Sequence, residues 1–235
     1  EGVPSITYIT LKQLVGQSQV SALVNEADAY AKADTSPYNA TLKKQVEFLK
    51  SGANSIGQME LIGIDGYFAS NAPPTAGKNY VTFLAAQQHA LSRGNIHITS
   101  SDPTVYPKVN ANYFTADWDR KVSGAGAKWL RDIAATSAYG SYIEKEAVPG
   151  AAVPDSGLEE YATTTGFTTE YHPIGTASCL PRNKGGVVNP KLMVYGTQNV
   201  RVVDASIAPL HVSAHIQGLV YGIAEAAAEI ILADQ

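Results

Sequence analysis

The run His215-Ile-Gln-Gly-Leu-Val-Tyr-Gly-Ile-Ala-Glu-Ala-Ala-Ala-Glu-Ile-Ile, close to the end of the chain, constrains the fold more than any other stretch, because it reads as a helix that opens at its own histidine. Its apolar part, residues 220–231, is interrupted by Glu225 and Glu229, which leaves no stretch of about twenty uncharged apolar residues to cross a bilayer. No membrane span is expected. A second histidine precedes the helix, His172 in Tyr-His-Pro-Ile-Gly-Thr, and residues 171–232 organise what lies upstream as scaffold.

A chain of 235 residues makes one large domain or two small ones, and 45% hydrophobic with 16% charged residues describes a globular molecule with a sizeable core. The net charge is −4 with Lys and Arg scattered singly, so there is no basic face for a nucleic acid backbone. Cys179 is the only cysteine, which excludes an internal disulfide and a cysteine-based zinc site. Its neighbours Ala177, Ser178 and Leu180 make it a small buried hydrophobe rather than a nucleophile. The sequon Asn39-Ala-Thr41 falls in what reads as a polar loop and is compatible with secretion. The opening Glu1-Gly-Val-Pro is neither an initiator Met nor a signal peptide, so a processed chain with polypeptide ahead of it is expected.

Periodicity predicts helices over residues 18–33, 41–49, 116–136 and 159–166, and a buried strand over 59–64. Residues 6–14 mix strand and helix character. Strands are predicted over 80–88 and 95–99, joined as a hairpin by Leu91-Ser-Arg-Gly94. Residues 71–77, 103–112 and 150–157 read as turn, polar loop and linker, and Asn199-Val-Arg-Val-Val as a short strand. Gly124-Ala-Gly126 lacks the third glycine of a dinucleotide fingerprint and lies inside a helical pattern, so close helix packing is its expected role.

A histidine near neutral pKa can take a proton from an alcohol and return it, and two together can share it or orient the substrate oxygen. A helix beginning at Ile216 presents unpaired N–H groups that favour an anion. A base beside an anion hole suits redox or acyl-transfer chemistry, but the serine elbow Gly-x-Ser-x-Gly is absent, and Ser178 and Ser213 lack its setting. A zinc site built from His211, His215 and His172 is the competing reading. Against it, Val212 stands where His-Glu-x-x-His has its acid, and Pro209 marks loop; no metal is expected. His89 and His97 lie in strand patterns and are read as structural.

These landmarks carry a family resemblance. Tyr171-His172-Pro-Ile-Gly175-Thr176, Gly185-Gly186-Val-Val, Val194-Tyr195-Gly196, Asn199-Val-Arg-Val-Val-Asp204-Ala-Ser206 and the helix from His215 resemble, in order and spacing, the C-terminal part of the glucose–methanol–choline family of FAD-dependent oxidoreductases. Leu91-Ser-Arg-Gly94 through Asp102-Pro103 resembles that family's strand pair. The likeness covers roughly residues 80–234.

The resemblance implies an α+β or α/β fold: a substrate-binding domain, a mixed sheet with helices on one face, over residues 1–165, then an active-site segment, 166–235, that returns to the FAD domain with its last strand and C-terminal helix. It implies that His172 is the base accepting the alcohol proton while hydride passes to the flavin, and that His215 fills the second active-site position, which the family gives to His or Asn. Asp204 and Ala205 match the strand end that approaches the ribityl and diphosphate of FAD. Ile216, with Gln217 beside it, matches the residue whose N–H faces the flavin C2 carbonyl. The implied activity is oxidation of a small-molecule alcohol to the carbonyl by a secreted flavoprotein, or, in the alternative, lyase or cyclase chemistry by the same histidines. Family members are more than twice this long and carry a Gly-rich FAD-binding half that is absent here, so a cleaved chain bound to that N-terminal partner is expected. His215-Ile-Gln217-Gly218 is nearer the aryl-alcohol-oxidising side of the family than the glucose-oxidising side.

Overall fold

A computed structural model describes residues 5–37, 39–69 and 73–234. The chain starts with strand β1 (Ser5–Thr10), and Thr10 then caps helix α1 (Leu11–Val15). The Thr10 hydroxyl accepts from the Gln13 N–H at 3.2 Å, and the Gln13 side chain takes the Thr10 N–H at 2.8 Å. This reciprocal cap satisfies donors that a helix start leaves open, and it resolves the mixed character of residues 6–14 into strand followed by helix. Helices α2 (Gln17–Ala33) and α3 (Asn39–Gly52) follow, burying Val20, Leu23, Val24, Ala27 and Leu42, Val46, Leu49 at helical spacing.

Strand β2 (Gly57–Asp65) is central, pairing antiparallel with β1 on one side and β3 (Val81–Gln87) on the other. Alternate side chains leave opposite faces of a strand. Met59 and Leu61 join the helix-side core, while Gln58 and Glu60 point the other way and are also buried. Helix α4 (Asp117–Ala134) covers the first face with Trp118 and Val122 fully buried. A Cβ on Gly126 would stand 2.8 Å from the Met59 methyl, and one on Gly124 would stand 2.9 Å from the Glu159 backbone of helix α5 (Leu158–Thr164). The two glycines therefore serve close packing, as expected. The three-stranded sheet is antiparallel throughout with helices on one face; the one parallel pairing among the described residues is an isolated bridge, Cys179 to Val188.

The predicted hairpin between 80–88 and 95–99 does not form. Strand β4 (Asn95–His97) pairs instead with β5 (Lys108–Asn110), inside the expected polar loop, as a separate two-stranded sheet. The reversal at residues 91–94 is held from a distance: the buried Asp119 carboxylate accepts the N–H of Leu91 and of Ser92, each at 2.7 Å. Arg93 is drawn inward to the carbonyl of Ala90 at 2.7 Å and the Gln45 amide oxygen at 2.6 Å. These bonds steer the chain out of the first sheet. The turn expected at 71–77 lies partly outside the described residues, and the rest closes through Lys78 N–H to Thr75 O.

After α5 the chain is mostly irregular to helix α6 (Gln217–Ala233). A second core of Val188, Leu192, Ile207 and Ala227 holds this part, with Cys179 half-buried beside it and its thiol donating to the Asn189 carbonyl at 3.5 Å. Residues 199–203 form one antiparallel bridge, Met193 to Arg201, rather than the expected strand. Helix α6 buries only Ala227 and leaves Tyr221 and Leu232 exposed. The Asn39 sequon opens α3 rather than lying in a loop, and its side-chain amide donates to the carbonyls of Ala31 and Asp34 at 2.8 and 2.5 Å. Among the described residues, no helix is long and apolar enough to cross a membrane.

Replacing Asp119 by Ala would leave two N–H groups without their acceptor in the interior, at about 1–3 kcal/mol each. The Asp119→Ala chain should therefore lose about 2–6 kcal/mol in urea unfolding. An unchanged midpoint would show that the 91–94 reversal holds without it.

Candidate active site

The two histidines meet. The rings of His172 and His215 lie with centroids 4.8 Å apart and planes at 86°, edge to face. His172 arrives from an irregular segment and His215 from the residue before the N-cap of α6, and the position of each has a local cause.

Tyr171 adopts a left-handed backbone (φ 61°), uncommon for a residue with a Cβ, and projects an exposed ring. Its N–H bonds the Thr169 hydroxyl at 3.0 Å. This turn folds the main chain of Glu170 back on the next ring, so that His172 Nδ1 donates to the Glu170 carbonyl. A carbonyl oxygen only accepts, which places a proton on Nδ1, so in the neutral ring the lone pair is on Nε2. Beyond His172, Gly175 (φ 83°) passes 3.3 Å from the Ala208 carbonyl at its would-be Cβ. The loop is then stitched to residues 206–207 by Ala177 N–H to Ser206 O and Cys179 N–H to Ile207 O.

His215 is fixed by a residue that the motifs do not contain. Nδ1 of His215 lies 2.6 Å from Oε1 of Glu60, a fully buried carboxylate on the outward face of β2. The other Glu60 oxygen accepts from the Gln88 amide at 3.1 Å. Burying an unpaired carboxylate costs several kcal/mol; His215 Nδ1 is the ion-pair partner that Oε1 of Glu60 meets, at a distance but not an angle that makes a hydrogen bond. Tyr8 stands opposite Glu60 in the β1–β2 register. Burial and then the Glu60 charge raise its phenol above the ordinary value, with a main-chain bond to His215 working against them. On the far side of the ring, His215 Nε2 is 3.9 Å from Oε1 of Glu170. Burial, and then Glu60, push the Glu170 carboxyl up, and the neighbouring histidines pull it down.

The approach to α6 is clamped by His89. Its Nε2 donates to Ser213 Oγ at 2.8 Å, and that hydroxyl donates in turn to the Gly57 carbonyl at 2.8 Å. The structural role expected for His89 is therefore met. Burial, and then the nearby His211, lower its pKa to about 4. His97 lies in β4 on the small sheet.

The sequence-derived set divides. His172 and His215 come together; Ile216 is the buried N-cap of α6, and Gln217 is its first residue. Asp204 and Ala205 start a short 3-10 turn in which the Asp204 carboxylate accepts the Ser206 N–H at 2.8 Å. The tri-histidine grouping does not form, since His211 turns its Nδ1 to the Val212 carbonyl. Among the described residues, the donor atoms that gather within 4.8 Å are those of Glu60, Glu170 and His215. Glu60 was legible in principle: a lone acid in the apolar run Met59-Glu60-Leu61-Ile62 must find a partner.

A model of the family described as GMC oxidoreductase matches residues 90–224. The GMC oxidoreductase family protein Mala s 12 of Malassezia sympodialis is 47% identical over 65% of this chain and 25% of its own length. A solved FAD-dependent oxidoreductase from Chaetomium thermophilum superposes with a TM-score of 0.79 at 21% identity, over 97% of this chain and 38% of that one. A solved fungal aryl-alcohol oxidase gives a TM-score of 0.72 at 28% identity over the same shares. The chain thus spans about a quarter to two fifths of the lengths of these relatives.

Neutral His89 refuses a proton that the unfolded chain binds. Its contribution to stability is complete above the ordinary value of 6.5 and is lost as pH falls through 6.5 toward about 4. That gap corresponds to about 3 kcal/mol. Urea midpoints recorded between pH 7 and pH 4 should fall less steeply for His89→Gln than for the parent; parallel curves would remove His89 as the cause.

Proposed function

Because the chain belongs to the GMC oxidoreductase family, we propose that it carries the proton-transfer half of an FAD-dependent oxidation of an alcohol to its carbonyl. The observation that carries this reading is the facing histidine pair with their ring nitrogens committed on one side: Nδ1 of His172 to a carbonyl and Nδ1 of His215 to the buried Glu60. Both Nε2 atoms are left for a substrate oxygen. His172, with its lone pair on Nε2, is the base that takes the hydroxyl proton, a role that general-base catalysis makes worth 10²–10⁴-fold. His215, held against the Glu60 carboxylate, orients the same oxygen and stabilises the charge that develops there.

FAD, when bound, supplies the acceptor for the hydride. The chain offers features that fit it: α6 begins with no side-chain cap at Ile216, and open space surrounds the would-be Cβ of Gly218. Uncapped N–H groups at a helix start favour an anion by about 0.3–1 kcal/mol at an exposed site. Ile216 and Gln217 would hold the ring end, and Asp204 and Ala205 the ribityl and diphosphate end, as in the family pattern. The exposed apolar side chains of α6, Tyr221 and Leu232 among them, are the surface to which the FAD-binding half of the polypeptide would pack. The reading includes secretion by family likeness only; the Asn39 amide, held by two carbonyls, gives it no support.

Anaerobic mixing of the flavin-loaded protein with an alcohol should bleach the flavin, and His172→Ala should slow that bleaching by about 10²–10⁴-fold with the flavin still bound. His215→Asn should be milder. Bleaching at the parent rate in His172→Ala would remove His172 as the base, and a flavin that no alcohol bleaches would turn the reading toward lyase or cyclase chemistry.

A further inference from the structure

The oxygen of Glu60 that turns away from His215 is also held. Oε2 accepts from the side-chain amide of Gln88 at 3.1 Å, and Gln88 is itself buried. Strand β3 ends at Gln87, and the main-chain N–H of Gln88 then closes on the Gln58 carbonyl at 3.0 Å, which fixes the residue beside β2. The same amide nitrogen lies 3.3 Å from the Ala86 carbonyl. An amide offers a donor at one end and an acceptor at the other. The Ala86 carbonyl only accepts, so Nε2 is the end that stands at Glu60, and Oε1 of Gln88 is left in the interior without a donor. Reversing the amide would set that oxygen against two acceptors, which is worse than leaving it unpaired.

A donor fixed at Oε2 decides where a proton can go. It favours the ionised carboxylate, and it keeps any proton that Glu60 takes off Oε2, leaving Oε1, which stands 2.6 Å from Nδ1 of His215. We propose that Gln88 is a positioning residue of the proton-transfer site: by donating to Oε2 it holds Glu60 as the carboxylate that keeps the proton of His215 on Nδ1. In the neutral ring the lone pair is then on Nε2, the nitrogen left for the substrate oxygen. Without the donor Glu60 is protonated more readily. A hydrogen on Oε1 then goes to Nδ1 as acceptor, and the ring carries its own proton on Nε2 instead. The consequence for catalysis rests on the alcohol-oxidation reading; the tautomer does not. Among the described residues, the titratable groups around Glu60 are Tyr8 of β1, Glu170 and His215. Gln88 does not titrate, so its donor is present at every pH.

Nitrogen-15 NMR of the histidine-labelled, flavin-loaded protein reads the tautomer, with Gln88→Met as the variant that keeps the length and removes the donor. The parent should show His215 protonated on Nδ1. In Gln88→Met the balance should move toward the Nε2 tautomer by about 10–100-fold, the worth of a hydrogen bond to a charged group. Anaerobic bleaching of the flavin by an alcohol should slow by about tenfold. Gln88→Glu regains a donor only while the introduced carboxyl is protonated, and beside Glu60 that proton is held to higher pH than usual, since two adjacent carboxylates do not both ionise. Its bleaching rate relative to the parent should therefore be highest at low pH and fall as pH rises, whereas that of Gln88→Met stays flat. An Nδ1 proton that stays on His215 in Gln88→Met, even with a lowered urea midpoint, would overturn the proposal and make Gln88 a packing residue. A Gln88→Glu ratio that does not change with pH would overturn it too. If Gln88→Met does not fold, the tautomer in Gln88→Glu, read at low and at high pH, decides. A flavin that no alcohol bleaches in the parent would defeat the oxidation reading, and the NMR comparison would still decide for or against Gln88.

Discussion

The site depends on one buried carboxylate. Glu60 lies in the middle of the central strand with no exposure, and a group of that kind persists in a protein interior only when a proton donor reaches it. The Gln88 amide donates to one oxygen, and His215, delivered from the far end of the chain, sets its Nδ1 2.6 Å from the other, so the carboxylate on β2 also bears on where α6 begins. Tyr8 of β1 and Gln88, just past the end of β3, close the surroundings of Glu60. A second clamp, His89 to Ser213 to Gly57, holds the same approach two residues earlier. Sheet and tail are thus joined by polar bonds rather than by continuous apolar packing, and the two cores remain distinct.

The two histidines obtain their orientations by different means. His215 is oriented by a charge, His172 by a main-chain carbonyl that is in place only because Tyr171 takes a left-handed backbone. Such a conformation costs about 1–3 kcal/mol and persists where the surroundings over-determine it. Here the Thr169 hydroxyl and the bonds from Ala177 and Cys179 to residues 206–207 do so. The outcome is one imidazole whose Nδ1 is held by a carbonyl beside another whose Nδ1 is held against a carboxylate, an asymmetric pair.

Much of this was legible in the sequence. The helices at 17–33, 39–52, 117–134, 158–164 and 217–233 announce themselves because each buries one face at helical spacing or is apolar enough to leave no other option. The histidines and the segments at 199–206 and 215–218 were recognisable as a family pattern over part of the chain. The hairpin was misplaced because the turn at 91–94 is set by Asp119, from a helix further along, and local turn chemistry carries no trace of that. Glu170 and Glu60 were overlooked for a related reason: neither belongs to a motif, and the partner of each is fixed only by the fold. The lone acid among apolar residues at Met59 to Ile62 was the one available clue.

The most direct check of the site is the protonation of its rings, read by nitrogen-15 NMR on histidine-labelled protein at neutral pH. The proposed reading requires His172 to carry its proton on Nδ1 with Nε2 unprotonated, and His215 to carry a proton on the Nδ1 that faces Glu60. A neutral His172 protonated on Nε2 would contradict the account, because the nitrogen left bare would then face the Glu170 carbonyl and no base would face the substrate.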